Sequence, residues 1–120
     1  MKSYLPRKED VKQMVTGHGD CVASDAITLH GRKVGFMVRE TPETFKPPGA
    51  RGDSGWRFFA GDETDAYIAI DTNFNIFPVN AIANLDPEII PLLDSPPGSA
   101  FRRENGTGPF KKAPFPKPMK

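Results

Sequence analysis

The chain is poor in the residues that build metal and redox sites: 120 residues contain one cysteine and two histidines. Cys21 has no partner for an internal disulfide, and neither it nor His18 and His30 stands at the spacing of a zinc site, so no disulfide, metal or other cofactor is expected. Charge of one sign is also missing. Sixteen basic and fifteen acidic residues leave a formal charge of +1, too little to gather nucleic acid or an anionic membrane by long-range attraction. No apolar run approaches the roughly 20 residues needed to cross a bilayer. Arg7, Lys8, Glu9, Asp10 and Lys12 interrupt the segment where a signal peptide would need an apolar core. These absences predict a cytoplasmic protein with neither a nucleic-acid nor a membrane partner.

What is present suffices for one core. A hydrophobic fraction of 38% over this length predicts a single domain, residues 1–105, and the Pro/Lys-rich stretch 106–120 has too few apolar residues to offset the entropy of ordering it, so it is expected to be a disordered tail. Pro6, Val11, Met14, Val15 and Gly17 suggest a first helix over Pro6–Thr16. The small and β-branched residues of Cys21–Leu29, a turn at His30–Arg32, and the alternation of Val34, Phe36 and Val38 suggest a hairpin with those three side chains facing the core. Five Pro and Gly residues between Glu40 and Gly55 predict a long surface loop. Trp56–Ala60 reads as a central strand, with Trp56, Phe58 and Ala60 on one face and Arg57 and Phe59 on the other. Asp62 is placed to cap a following helix that turns Tyr67 and Ile68 inward. A strand near Asn75–Phe77, a cap and first turn at Asp86-Pro87 leading into Glu88–Leu93, and a strand over Ser99–Arg103 complete the order. The expected class is α+β: a mostly antiparallel sheet packed against short helices.

Little of this carries catalytic chemistry. The histidines sit in Gly-containing turns, and Ser24-Asp25 reads as a local hydrogen-bonded turn rather than a nucleophile with its base. Gly49, Gly52 and Gly55 lack the Lys-Ser or Lys-Thr of a phosphate loop. No acid, base and nucleophile stand in usable spacing, so no enzyme is expected. The densest segment is Asp53 to Glu63, where the only tryptophan is bracketed by charges of both signs. Trp and Arg concentrate in binding hot spots because they join contact area to directional polar groups. Arg39, Asp53, Trp56, Arg57, Asp62 and Glu63 are therefore the candidate partner-binding residues. Asp62, Glu63, Asp65 and Asp71 offer a local acidic patch.

Val22-Ala23-Ser24-Asp25, Val34-Gly35-Phe36-Met37-Val38-Arg39-Glu40 and Asp53-Ser54-Gly55-Trp56-Arg57-Phe58-Phe59-Ala60-Gly61-Asp62-Glu63 resemble the bacterial immunity protein 33 family, also known as domain of unknown function 2185. Ala83 to Leu93 and Gly98 to Phe101 fit it too, so the family-like core runs over residues 21–103. The resemblance implies an α+β domain of polymorphic-toxin loci that binds and neutralises a cognate protein toxin, without catalytic residues. The alternative is a non-catalytic regulatory or ligand-binding module with some other partner.

Overall fold

The computed structural model describes residues 2–42, 44, 48, 51–104 and 107–116. Six strands, β1 (Asp20–Ser24), β2 (Phe36–Arg39), β3 (Asp53–Phe59), β4 (Phe74–Pro78), β5 (Ala100–Arg102) and β6 (Lys111–Lys112), form one sheet in the order β4-β1-β3-β2-β5-β6. Among the described residues only the β1–β3 pair is parallel. The other four pairs are antiparallel. With helices α1 (Asp25–Thr28), α2 (Asp65–Ile68) and α3 (Val79–Leu85) and a 3₁₀ helix over Pro87–Leu92, the fold is α+β with a mostly antiparallel sheet.

The expected hairpin between β1 and β2 does not form. Ser24 ends β1 as an N-cap, its hydroxyl accepting from the Ala26 N–H at 3.1 Å, and the chain turns into α1 instead of back on itself. It re-enters the sheet beyond β3, so β3 lies between β1 and β2 as a central strand. Val34 precedes β2, and the inside–outside phase shifts between Val34 and Met37. Accordingly Met37, not Phe36 or Val38, joins Val34 in the main core, and Phe36 and Val38 point to the opposite face.

That core gathers Cys21, Ala23, Ile27, Val34, Met37, Trp56, Phe58, Val79, Ile82, Ala83, Ile89, Leu93 and Phe101. Fully burying one of its Val, Leu, Ile, Met or Phe side chains stabilises by about 1.5–3 kcal/mol. As expected, Trp56, Phe58 and Ala60 are buried on this side of β3. Ile89 and Leu93 enter from the segment started by Asp86, whose carboxylate accepts from the Glu88 N–H at 3.3 Å; Ile90 and Leu92 pack partly against it.

The first helix shrinks to one 3₁₀ turn, Lys8–Asp10. Residues 12–15 are bound instead by two asparagines one turn apart on α3. Asn84 Oδ1 accepts from Lys12 N, and Asn80 Oδ1 accepts from Met14 N and Val15 N. Both side-chain amides donate to the Lys12 carbonyl. These bonds satisfy backbone groups that a helix would have satisfied internally, while Val15 alone of the apolar triplet packs on the core. At α2 the cap is Thr64, not Asp62: Thr64 Oγ1 accepts from the Tyr67 N–H at 3.1 Å. No residue of α2 is buried, and Ile68 is 42% exposed, so the helix does not turn Tyr67 and Ile68 into the core.

Of the loop expected over 40–55, positions 43, 45–47, 49 and 50 lie outside the described residues, and β3 already begins at Asp53. In the tail, positions 106 and 117–120 lie outside them. The described part carries β6, whose Lys111 and Lys112 pair with Arg102 and Phe101, and Phe110 packs on the core.

One buried ion pair joins these parts. Arg103 and Asp86 side chains are 1% and 2% exposed and contact directly, and Arg103 also reaches Glu88. Its Nε donates to the Val34 carbonyl at 2.8 Å, and Asp86 accepts from the Val34 N–H at 3.0 Å. Removing one member of a buried pair strands the other charge without water, which costs about 3–5 kcal/mol. Arg103→Ala is therefore expected to lower unfolding stability by about that amount in urea titrations. Arg32→Ala, breaking an exposed pair with Asp62, should barely move the midpoint.

Candidate functional site

The face of the sheet opposite the main core is only partly covered. Alternation along β3 sends Trp56 and Phe58 inward and Arg57 and Phe59 outward. Register then sets their neighbours: Arg57 lies beside Val22 of β1 and Val38 of β2, and Phe59 lies opposite Phe36, which lies opposite Arg102 of β5. Phe36 and Phe59 have ring centroids 5.8 Å apart, and Phe59 meets Phe74 edge-on at 5.7 Å. Tyr67 of α2 closes the row against Phe74 at 5.9 Å. The Arg102 guanidinium stacks 4.3 Å above the Phe36 ring and donates to the Gly61 carbonyl.

Between this aromatic row and α2 lies a groove of about 680 Å³. Phe36, Val38, Phe59 and Ile68 form its apolar walls, and Phe115 and Pro116 of the tail stand at one side. Glu40, Glu63 and Asp65 rim it. Glu63 is fixed by the turn after β3, accepting from the Ala60 N–H at 2.7 Å and the Gly61 N–H at 2.9 Å. Asp65 makes no side-chain hydrogen bond or ion pair among the described residues.

Arg57 lies next to Val38 on the same face. Its guanidinium forms a fork to Asp53 at 2.9 and 3.0 Å and reaches Glu40 at 3.1 Å. The hydrogen bonds to Asp53 raise its pKa against the lowering effect of burial, so it stays cationic. The loop geometry that brings Glu40 there depends on Gly55. Its φ is +91°, and a Cβ would lie 2.2 Å from the Glu40 carbonyl oxygen, so no other residue fits.

The six residues expected from the sequence thus separate. Asp53 and Arg57 are together, and Glu63 is on the nearby rim. Asp62 faces away and binds Arg32 at 2.6 and 3.0 Å, hydrogen bonds that lower its pKa. Trp56 has no exposure, and its indole N–H donates to the Leu93 carbonyl at 3.1 Å. Arg39 is a strut, donating to the Ser54 and Ser95 carbonyls, with its guanidinium 5.8 Å from the Trp56 ring. Phe36 and Arg102 reach the site through strand register, and Ile68 and Phe115 reach it through the placement of α2 and the tail, so no local pattern marks these four together. The alternation that put Phe59 on the outer face was the one signal pointing to them.

Asp25, Ser24 and Cys21 have structural roles. The Asp25 carboxylate binds Lys2 at 2.7 Å and Asn75 at 3.1 Å beside the capping hydroxyl of Ser24. Cys21 is 1% exposed, and burial pushes its thiol well above the ordinary range, which leaves it protonated and inert. Among the described residues, no group of three His, Cys, Asp or Glu side chains could hold a metal ion. No helix among them is long and apolar enough to cross a membrane.

A family described as the Immunity protein Imm33 domain matches residues 21–114, and the chain belongs to that family. The match continues past Arg103 through β6. No match to the chain was found among curated proteins or among solved structures.

The geometry of Glu63 yields a prediction about any binding test at this site. Glu63→Ala deprives two backbone N–H groups of their acceptor and should cost about 1–3 kcal/mol of stability. Urea unfolding of Glu63→Ala beside Asp65→Asn measures this, the second variant being expected to unfold with the parent chain.

Proposed function

We propose that the chain is an immunity protein that binds a cognate bacterial toxin in the cytoplasm and neutralises it by direct contact, using the outer face of β2, β3 and β5 together with α2. The observation that carries this reading is the half-open aromatic groove beside Arg57, on a chain belonging to the Immunity protein Imm33 domain family. Neutralisation on this account is occlusion, with no chemical step performed by the chain.

The face suits such contact for physical reasons. A stable protein interface needs about 800 Å² from each partner and a central cluster that desolvates fully. Phe36, Phe59 and Ile68 supply that cluster, and the rings of Phe36 and Phe59 are already braced by neighbours, so little side-chain entropy remains to be lost on binding. Arg57 is likewise held in place by Asp53 and Glu40. With a formal charge of +1 the chain has no long-range field, so electrostatic selectivity must come from the local rim of Glu40, Glu63 and Asp65.

The test starts from the tagged chain, used to isolate its partner from lysate of the source bacterium. Cells expressing a toxin partner alone should stop growing, and cells co-expressing the wild-type chain should grow. Ile68→Asp and Arg57→Ala, folded by circular dichroism, should lose protection by at least about tenfold in the toxin dose tolerated, as expected for truncating contacts worth more than about 1.4 kcal/mol. A partner that is harmless alone would favour the regulatory-module reading. Full protection by both variants would move the binding surface elsewhere.

A further inference from the structure

The chain's own tail contributes to the groove. Phe115 and Pro116 stand at its edge, and the segment that brings them there is Lys111-Lys112-Ala113-Pro114-Phe115-Pro116-Lys117. This is an aromatic side chain set among prolines and lysines. The site opposite has the complementary chemistry: apolar walls from Phe36, Phe59 and Ile68, and two carboxylates, Glu63 and Asp65, with no cation in ion-pair contact among the described residues. Prolines hold such a segment extended at low entropic cost, which is how proline-rich ligands enter aromatic grooves.

Past Phe110, which packs on the core, few backbone bonds hold the tail. β6 is two residues long, both exposed, and its strand pairing is extended by one bond, from Ala113 N to the Ala100 carbonyl at 2.9 Å. Phe115 lines the groove and remains 42% exposed. A free ligand with the same chemistry could seat its ring more deeply.

We propose that the groove is a receptor for an extended, lysine-flanked aromatic segment of the partner protein, and that the tail is a tethered stand-in which the partner displaces. This rests on the reading that this face binds the toxin, and it names the part of the toxin that is taken. Tethering gives the tail a high effective concentration, commonly millimolar for short linkers, so it competes with any free segment. The apparent affinity for a free segment is reduced by the fraction of molecules whose groove is open.

The experiment needs no toxin. A synthetic peptide copying residues 111–118 is titrated calorimetrically into the full-length wild-type chain, the Phe115→Ala variant and the Phe115→Ala/Asp65→Asn variant. Phe115→Ala should bind the peptide at least about tenfold more tightly than wild type, because the competitor in cis is gone. The added Asp65→Asn should lose several-fold of that gain, and raised salt should weaken binding in Phe115→Ala more than in the double variant. Equal affinity for wild type and Phe115→Ala, or no binding to either, overturns the proposal. A concentration-dependent dimer of the wild-type chain that Phe115→Ala abolishes would overturn it as well, by assigning the groove to a second copy's tail. If the peptide fails while the chain still rescues cells from its toxin, this inference falls and the immunity reading stands.

Discussion

Arg103 is the side chain on which the arrangement depends. A guanidinium that is 1% exposed must have its charge and donors met inside the protein, because burying an ion without partners costs several kcal/mol. Its partners come from different parts of the chain: Asp86 before the 3₁₀ helix, Glu88 within it, the Val34 carbonyl ahead of β2, and the ring of Phe110, 4.2 Å away. Asp86 in turn holds the Val34 N–H and caps the 3₁₀ helix. The pair therefore fixes the entry of β2, the seat of Ile89 and Leu93, and the exit of β5 at one point.

The same strand prepares the outer face. Successive residues of a strand point to opposite sides, so while Arg103 locks the core side, Arg102 lies on the other and stacks on Phe36. Locking β2 against β5 holds Phe36 and Val38 in register with Phe59 and Arg57. The groove is thus made by rigid strands on one wall and by α2, which has no buried residue, on the other. Such an arrangement combines a preformed wall with one that can adjust to a partner.

The legible parts of the sequence were those decided locally. Alternation along Trp56–Ala60 identified a central strand, and Asp86-Pro87 announced the start of the segment that buries Ile89. The class followed from the order of elements, and the family from the runs around Val34–Glu40 and Asp53–Glu63. What local pattern missed was set by distant partners. The helical spacing of Val11, Met14 and Val15 lost to bonds from Asn80 and Asn84, which no window around residue 11 contains. Ser24 reads locally as a turn residue, yet as the cap of α1 it turns the chain away from a hairpin, and β3 pairs in parallel with β1 between β1 and β2. At the site, Trp56 and Arg39 have the composition of a hot spot and the location of a core, whereas Phe36, Arg102 and Phe115 are neighbours only after β2, β3, β5 and the tail are aligned.

The most direct test is amide hydrogen exchange on the chain alone and in complex with the toxin proposed as its partner. Binding on the outer face predicts slower exchange across Gly61–Ile70, the turn and helix that border the groove. It also predicts faster exchange at Ala113, whose N–H leaves the Ala100 carbonyl as the tail is displaced. Unchanged exchange over Gly61–Ile70, with protection appearing instead along β4 or residues 2–16, would contradict the assignment of this face as the toxin-binding surface.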